Sequence, residues 1–165
     1  MVLDFDPTAS PDAIQRRRIH QRLTALAEAP AGKIEDAIAT LARPDALWRV
    51  AHPINACAGT AEVLARAFAP LKRACPDLER RDVIFVGGAY QNRRYLAAVG
   101  HYCGTMRGDW LGLPATNRPI YLRYGEVYEI DAEGAVVQAN LLWDVLDIMR
   151  QVGLWPIAPP LGSAE

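Results

Sequence analysis

The chain has 165 residues, 51% of them hydrophobic, and a formal net charge of −1. That length and apolar content predict one compact domain over residues 1–165 with a core of its own. The near-zero charge leaves no bulk field to attract nucleic acid or an anionic membrane, and no apolar run approaches the roughly 18–20 residues needed to span a bilayer.

In chain order, Ser10-Pro11-Asp12 reads as an N-cap, a first-turn proline and a first-turn acid. The helix after it carries Arg16-Arg17-Arg18 on a solvated face and Ile19, Leu23, Leu26 and Ala27 on one apolar stripe, until Pro30 and Gly32 end it. A second helix has Ile34, Ala37, Ile38 and Leu41 at helical spacing and closes at Arg43-Pro44. Trp48 to Gly59 reads as irregular. Thr60 is placed to cap a third helix bearing Val63, Leu64, Ala67, Phe68 and Leu71, which Pro70 should kink or shorten and Pro76 should stop.

The period then changes. Asp82–Tyr90 holds the β-rich run Val83-Ile84-Phe85-Val86. Arg94–Met106 reads as a longer strand, with Tyr95, Ala97, Val99, His101, Cys103 and Thr105 on one face. Ile120–Ile130 reads as a strand with Leu122, Tyr124, Glu126 and Tyr128 together. Asp131-Ala-Glu-Gly134 is a hairpin signal, Ala135–Trp143 the returning strand, and Asp144–Gln151 a last helix with Gly153 at C′. The proline-rich tail from Trp155 is expected to be extended. Helices followed by mainly antiparallel strands predict an α+β fold, a curved sheet wrapped around the N-terminal helices and enclosing a pocket.

Several motifs stand in an ordered series. They are Gly100-His-Tyr-Cys-Gly104, Trp110-Leu-Gly-Leu-Pro-Ala-Thr-Asn-Arg118, Arg123-Tyr-Gly-Glu126, Asp131-Ala-Glu-Gly-Ala-Val-Val137 and Asp144-Val-Leu-Asp-Ile-Met-Arg-Gln-Val-Gly153. In that series the chain resembles the SnoaL-like polyketide cyclase family of the nuclear-transport-factor-2-like superfamily. Members tend to show a GxPATGR loop, a dGKI turn and a DxxxLxxQxG ending. The likeness spans about residues 50–162. It implies a cone-shaped α+β barrel, a strongly bent sheet over a deep pocket, often paired through its open face into a homodimer. It also implies cofactor-free ring closure by intramolecular aldol condensation, with the aspartate before the last helix as acid/base. Asp144 holds that position here. Asn117 departs from the usual glycine, and Ala135-Val136 from the lysine–isoleucine pair.

Each candidate residue has two readings. Asp144 is either a general base or a helix N-cap whose carboxylate accepts backbone N–H bonds, with Asp147 at N3. Glu126 is either a pocket carboxylate with a perturbed pKa or half of an outer-face ion pair with Arg123 or Arg94. An unperturbed imidazole titrates near neutrality, which makes His101 a candidate proton shuttle, but a lone strand histidine is commonly a hydrogen-bonded, half-buried residue. His52 and Asn55 fit either substrate contacts from a loop or turn chemistry before and after Pro53. Tyr102, Tyr124, Trp110 and Trp143 line either an apolar ligand site or plain core. Asn140 is a further polar candidate for substrate binding, within an alternating surface Val136-Gln138-Asn140-Leu142 that also suits pairing with a second copy.

No nucleotide loop, GxSxG elbow or histidine pair with metal-ligand spacing is present, so neither cofactor nor metal is expected. Cys57, Cys75 and Cys103 form neither a disulfide framework nor a CxxC, and the acidic start lacks signal-peptide character. Both point to a cytoplasmic protein. The expected ligand is a small hydrophobic or carbonyl-containing molecule. The rival readings are a non-enzymatic ligand-binding or dimerisation module and an epoxide-hydrolase-like enzyme. The latter needs an Asp–Arg–Asp arrangement around a water, for which Asp144, Arg123 and Glu126 are a poor substitute.

Overall fold

A computed structural model describes residues 11–158. Helices α1 (Pro11–Glu28) and α2 (Ile34–Leu41) come first, joined through a 3-10 turn at Ala31–Lys33. The predicted stripe of α1 is the buried one, Ile19, Leu23, Leu26 and Ala27 all lying in the core with Ile34, Ile38 and Leu41 of α2. The Ser10 cap lies outside the described residues.

Strand β1 (Ala42–Val50) occupies a stretch read as a helix stop and an irregular segment. Its first half, Arg43-Pro44-Asp45, is exposed and hides the alternation, which becomes regular only at the buried Ala46, Trp48 and Val50. What makes it a strand is a distant partner, since it runs parallel to β6 (Val136–Trp143). The short β2 (Ala56–Ala58) pairs with its other edge.

The third helical stretch runs from α3 (Thr60–Val63) through a π turn (Leu64–Phe68) to α4 (Ala69–Ala74). Gly59, at φ 85°, holds the cap position instead of Thr60. The Glu62 carboxylate accepts the Ala58 N–H at 2.7 Å. Pro70 neither breaks nor ends the helix. A proline lacks an N–H and crowds the carbonyl four residues back; here that residue, Arg66, sits inside the widened π turn, which absorbs the clash.

The long strands are β3 (Glu79–Tyr90), β4 (Arg93–Thr105) and β5 (Pro119–Ile130), and the sheet order is β2-β1-β6-β5-β4-β3. Among the described residues only the β1–β6 pairing is parallel, and β2 and β3 are unjoined edges, so the fold is an open α+β cone rather than a closed barrel. Helix α1 packs against β3. Asp144 caps α5 (Val145–Gln151), and Gly153 follows at φ 84°.

The interior face of β5 is the set Ile120, Leu122, Tyr124, Glu126, Tyr128 and Ile130. In β4 the interior set is Leu96, Ala98, Gly100 and Tyr102. The predicted grouping of Val99 with His101 is correct, but that grouping lies on the outer face. Both faces of β4 carry apolar residues, so alternation alone does not choose between them. Gly100 is required inside, because a Cβ there would stand 2.2 Å from the Arg81 carbonyl oxygen and 2.6 Å from the Tyr124 hydroxyl. Gly100→Ala is expected to cost about 1–3 kcal/mol by overpacking, read as a lower urea midpoint; an unchanged midpoint would show that the strand gives way freely.

The outer face carries an apolar row across four strands. Ile84, Val99, Gly125 and Leu142 are register partners in turn, and Val99 and Leu142 are 45% and 72% exposed.

Candidate active site

The concave side of the sheet is filled by side chains. At its centre Arg80 and Asp82 alternate on β3 and so point to the same side, toward Glu126 of β5. Arg80 donates from Nε and Nη2 to the two Asp82 oxygens at 3.0 and 2.9 Å, and from Nη1 to Glu126 Oε2 at 2.7 Å. Glu126 also accepts from the Tyr128 hydroxyl at 2.6 Å, the Tyr102 hydroxyl at 3.1 Å and the Trp143 indole at 3.0 Å. Asp82 accepts from the Tyr124 hydroxyl at 2.8 Å and lies 3.1 Å from His20 Nε2. The guanidinium carbon stacks 4.5 Å from the Tyr124 ring centroid.

The side chains of Arg80 and Glu126 are fully buried, and that of Asp82 nearly so. Burying three charges is costly unless every lone pair and N–H is used, and here each carboxylate has four such contacts. Burial pushes Asp82 up, but the His20 contact and the Arg80 charge and hydrogen bonds outweigh it and hold the carboxyl below its usual range. Burial would lower Arg80, yet Glu126 more than compensates and keeps the guanidinium charged. Burial and the nearby Glu126 charge raise Tyr102 and Tyr128, which stay neutral donors.

A cleft of about 860 Å³ opens separately, where α5 meets the ends of β5 and β6. Its walls include Val99, Leu111, Leu113, Leu142, Leu146 and Met149, and its polar groups come from His52, Arg123 and Asp144. Tyr124 and Trp143 line it too, while their polar ends serve Asp82 and Glu126 on the buried side. The Asp144 carboxylate serves as the helix cap with one of its two oxygens. Oδ1 accepts the Asp147 N–H at 3.0 Å as an N-cap, and Oδ2 lies 3.9 Å from Arg123 Nη1. Its side chain is 37% exposed, so capping leaves an oxygen facing the cleft.

The predicted residues therefore divide. Asp144, His52, Tyr124 and Trp143 meet at the cleft. Glu126 and Tyr102 belong to the buried network, and the partner of Glu126 is Arg80 rather than Arg123 or Arg94. Trp110 is core, 2% exposed and 6.4 Å from the Trp143 ring, its indole N–H without a partner among the described residues. Asn55 sits at φ 63° and donates to the Pro53 carbonyl, which spends its amide on the turn. Asn140 is exposed on the outer face opposite Val127. His101 lies on that face between Arg81 and Arg123.

Sequence reasoning missed Arg80, Asp82 and His20. The signal available was a basic and an acidic residue two apart at the start of an apolar strand. Among the described residues no group of three or more His, Cys, Asp or Glu is placed to hold a metal ion, and no helix is long and apolar enough to cross a membrane. The three cysteines are free and buried.

An open α+β cone with a cleft beside the last helix defines the class. The profile of the SnoaL-like polyketide cyclases matches residues 20–152, and the chain belongs to that family. A "Putative SnoaL-like polyketide cyclase" from Jannaschia sp. CCS1 superposes with a TM-score of 0.66 at 20% identity, covering 94% of this chain and 100% of its own. TsrD from Streptomyces laurentii gives 0.67 at 17% identity, covering 88% and 99%. At such identities the likeness carries the fold alone. No curated protein matches the sequence significantly.

Proposed function

We propose that the protein is a cyclase- or isomerase-type enzyme doing cofactor-free proton transfer on a small apolar carbonyl compound. The observation that carries this is the Asp144 carboxylate, fixed by its cap bond yet facing a large apolar cleft beside Arg123 and His52. Asp144 takes a proton from the carbon α to a carbonyl. The electron pair left behind moves onto the carbonyl oxygen, where Arg123 or His52 supplies the donor. The enolate carbon then bonds to a second carbonyl carbon of the same molecule, and the proton on Asp144 passes to the new alkoxide. With no second carbonyl in reach, the proton returns to a different carbon and the result is isomerisation.

The test follows proton exchange. Incubated in D₂O with a bicyclic aryl ketone, the wild-type protein should accelerate deuterium uptake at the α carbon, seen by proton NMR, and Asp144→Asn should abolish that acceleration. One observation favours a second reading, because Asp82–Arg80–Glu126 is the carboxylate–arginine–carboxylate arrangement that an epoxide-hydrolase-like enzyme would use. Its burial argues for a structural role. Catalysis surviving Asp144→Asn but lost in Glu126→Gln would move the chemistry to that network.

We also propose that a second copy covers the outer sheet face through the neighbouring row Val86–Ala97–Val127, register partners in turn, which leaves the cleft residues Val99, Gly125 and Leu142 open. An exposed apolar row of this kind marks an association surface, and a polar module that merely binds ligand has no need of it. Sedimentation should give a dimer for the wild type and a monomer for Val127→Asp; a monomeric wild type rejects the idea.

A further inference from the structure

Next to the cleft lies a groove of about 440 Å³ lined by His101, Arg118, Arg123, Asp147 and Arg150, among others. Its residues come from three places. Arg118 ends the loop before β5, Arg123 points outward from β5, and Arg150 projects from α5. Helix α5 divides the two depressions, turning Val145, Leu146 and Met149 to the cleft and Asp147, Arg150 and Gln151 to the groove. Arg123 lines both and joins them.

The groove carries three arginines against one carboxylate, in a chain whose net charge is −1. That carboxylate is already occupied. Asp147 Oδ1 accepts from Arg150 Nε and Nη2 at 2.9 and 2.6 Å, and Oδ2 accepts from Gln151 at 2.7 Å. Gln151 in turn is fixed to the backbone of Tyr121 by two bonds of 3.0 Å, which anchors α5 on β5. Asp144 reaches Arg123 only at 3.9 Å, beyond hydrogen-bond range. Arg118 has no side-chain partner among the described residues. Like charges gathered around an open concavity repel one another, and an anion seated there relieves that repulsion while taking up free guanidinium donors.

We propose that the substrate is amphiphilic, an apolar body in the cleft bearing a carboxylate-like anionic group that Arg118, Arg123 and Arg150 hold in the adjoining groove. The inference rests on the cleft being the substrate site and adds the substrate's charge to that reading. It also gives the reaction an orientation. With the anionic end fixed beyond Arg123, the carbonyl-bearing part of the body is held beside Asp144, on the near side of the same arginine. His101, in register with Arg123 on the neighbouring strand, lies on the groove wall.

The probes are naphthylacetate and its methyl ester, which share one apolar body and differ in charge. Calorimetric titration of the wild-type protein should show the acid binding about tenfold more tightly than the ester, as two or three exposed ion contacts of ordinary strength would give. Added salt should weaken the acid selectively. In Arg118→Gln/Arg150→Gln the preference should fall to the small part that Arg123 supplies, while ester binding and the melting temperature stay as in the wild type. Should the double variant lose ester binding as well, Arg118→Gln alone decides, because that change removes no protein contact. Equal binding of acid and ester by the wild type overturns the proposal and leaves the cleft reading standing, as does a preference left undiminished by the arginine substitutions. Binding of neither probe overturns the cleft reading itself and this inference with it.

Discussion

Replacing Arg80 by alanine is expected to lower the unfolding free energy by about 3–5 kcal/mol, the usual cost of removing one partner from a buried ion pair. The loss is large because Arg80 serves both Asp82 and Glu126, and neither carboxylate can recover its hydration where it lies. Urea unfolding should show it as a lower midpoint at similar slope. The change should also reshape the acid limb. Asp82 is held below the usual carboxylate range in the folded state, by His20 and Arg80 against the opposing effect of burial. A depressed folded value contributes stability that is present above the unfolded value of about 4 and is lost as pH falls through the folded one. Without Arg80 that depression shrinks, and acid unfolding should begin at higher pH. If the variant does not fold, Glu126→Gln supplies the milder perturbation, since it keeps the shape and removes the charge. A wild-type midpoint in both variants would mean the network contributes nothing to stability.

The second large effect concerns rate. Asp144→Asn should reduce α-proton exchange by about 10²–10⁴-fold, the range over which a positioned general base acts, while the urea midpoint stays close to the wild type. Asparagine caps helices as well as aspartate does, so the Asp147 N–H keeps its acceptor. Asp144→Ala removes cap and base together and should cost about 0.5–2 kcal/mol in addition. The pair of variants separates the two duties of one side chain. If Asp144→Asn exchanges protons at the wild-type rate, Asp144 is a cap and no more.

These two effects are linked through Trp143. Its indole N–H is tied to Glu126 at 3.0 Å, and the next residue is Asp144. The buried network thus fixes the end of β6 and the entry into α5, and with them the direction in which the Asp144 carboxylate points. Glu126→Gln should therefore lower the exchange rate modestly even if the base is untouched, through a looser α5.

Much of this architecture was legible locally. The stripes of α1, α2 and the helical stretch after Gly59, the hairpin at Asp131–Gly134 and the cap of α5 depend on residues within a few positions of one another, and each was read correctly. The failures share a physical cause. β1 is a strand because β6 lies beside it, and nothing in Arg43-Pro44-Asp45 says so. Thr60 looked like a cap, but Gly59 alone tolerates φ 85° where its Cα faces the Pro44 carbonyl oxygen.

The sequence by itself determined the order and kind of most elements, the family to which the chain belongs and the position of Asp144 at a helix start, because spacing and capping act over short range. It also named Glu126 as a carboxylate among apolar neighbours. Only the tertiary structure decided which face of each long strand lies inside, because both faces of β4 are apolar enough to be buried. That choice seals Glu126 against Arg80, sends His101 and Asn140 outward, and brings Arg118, Arg123 and Arg150 from three separate segments to one groove beside the cleft.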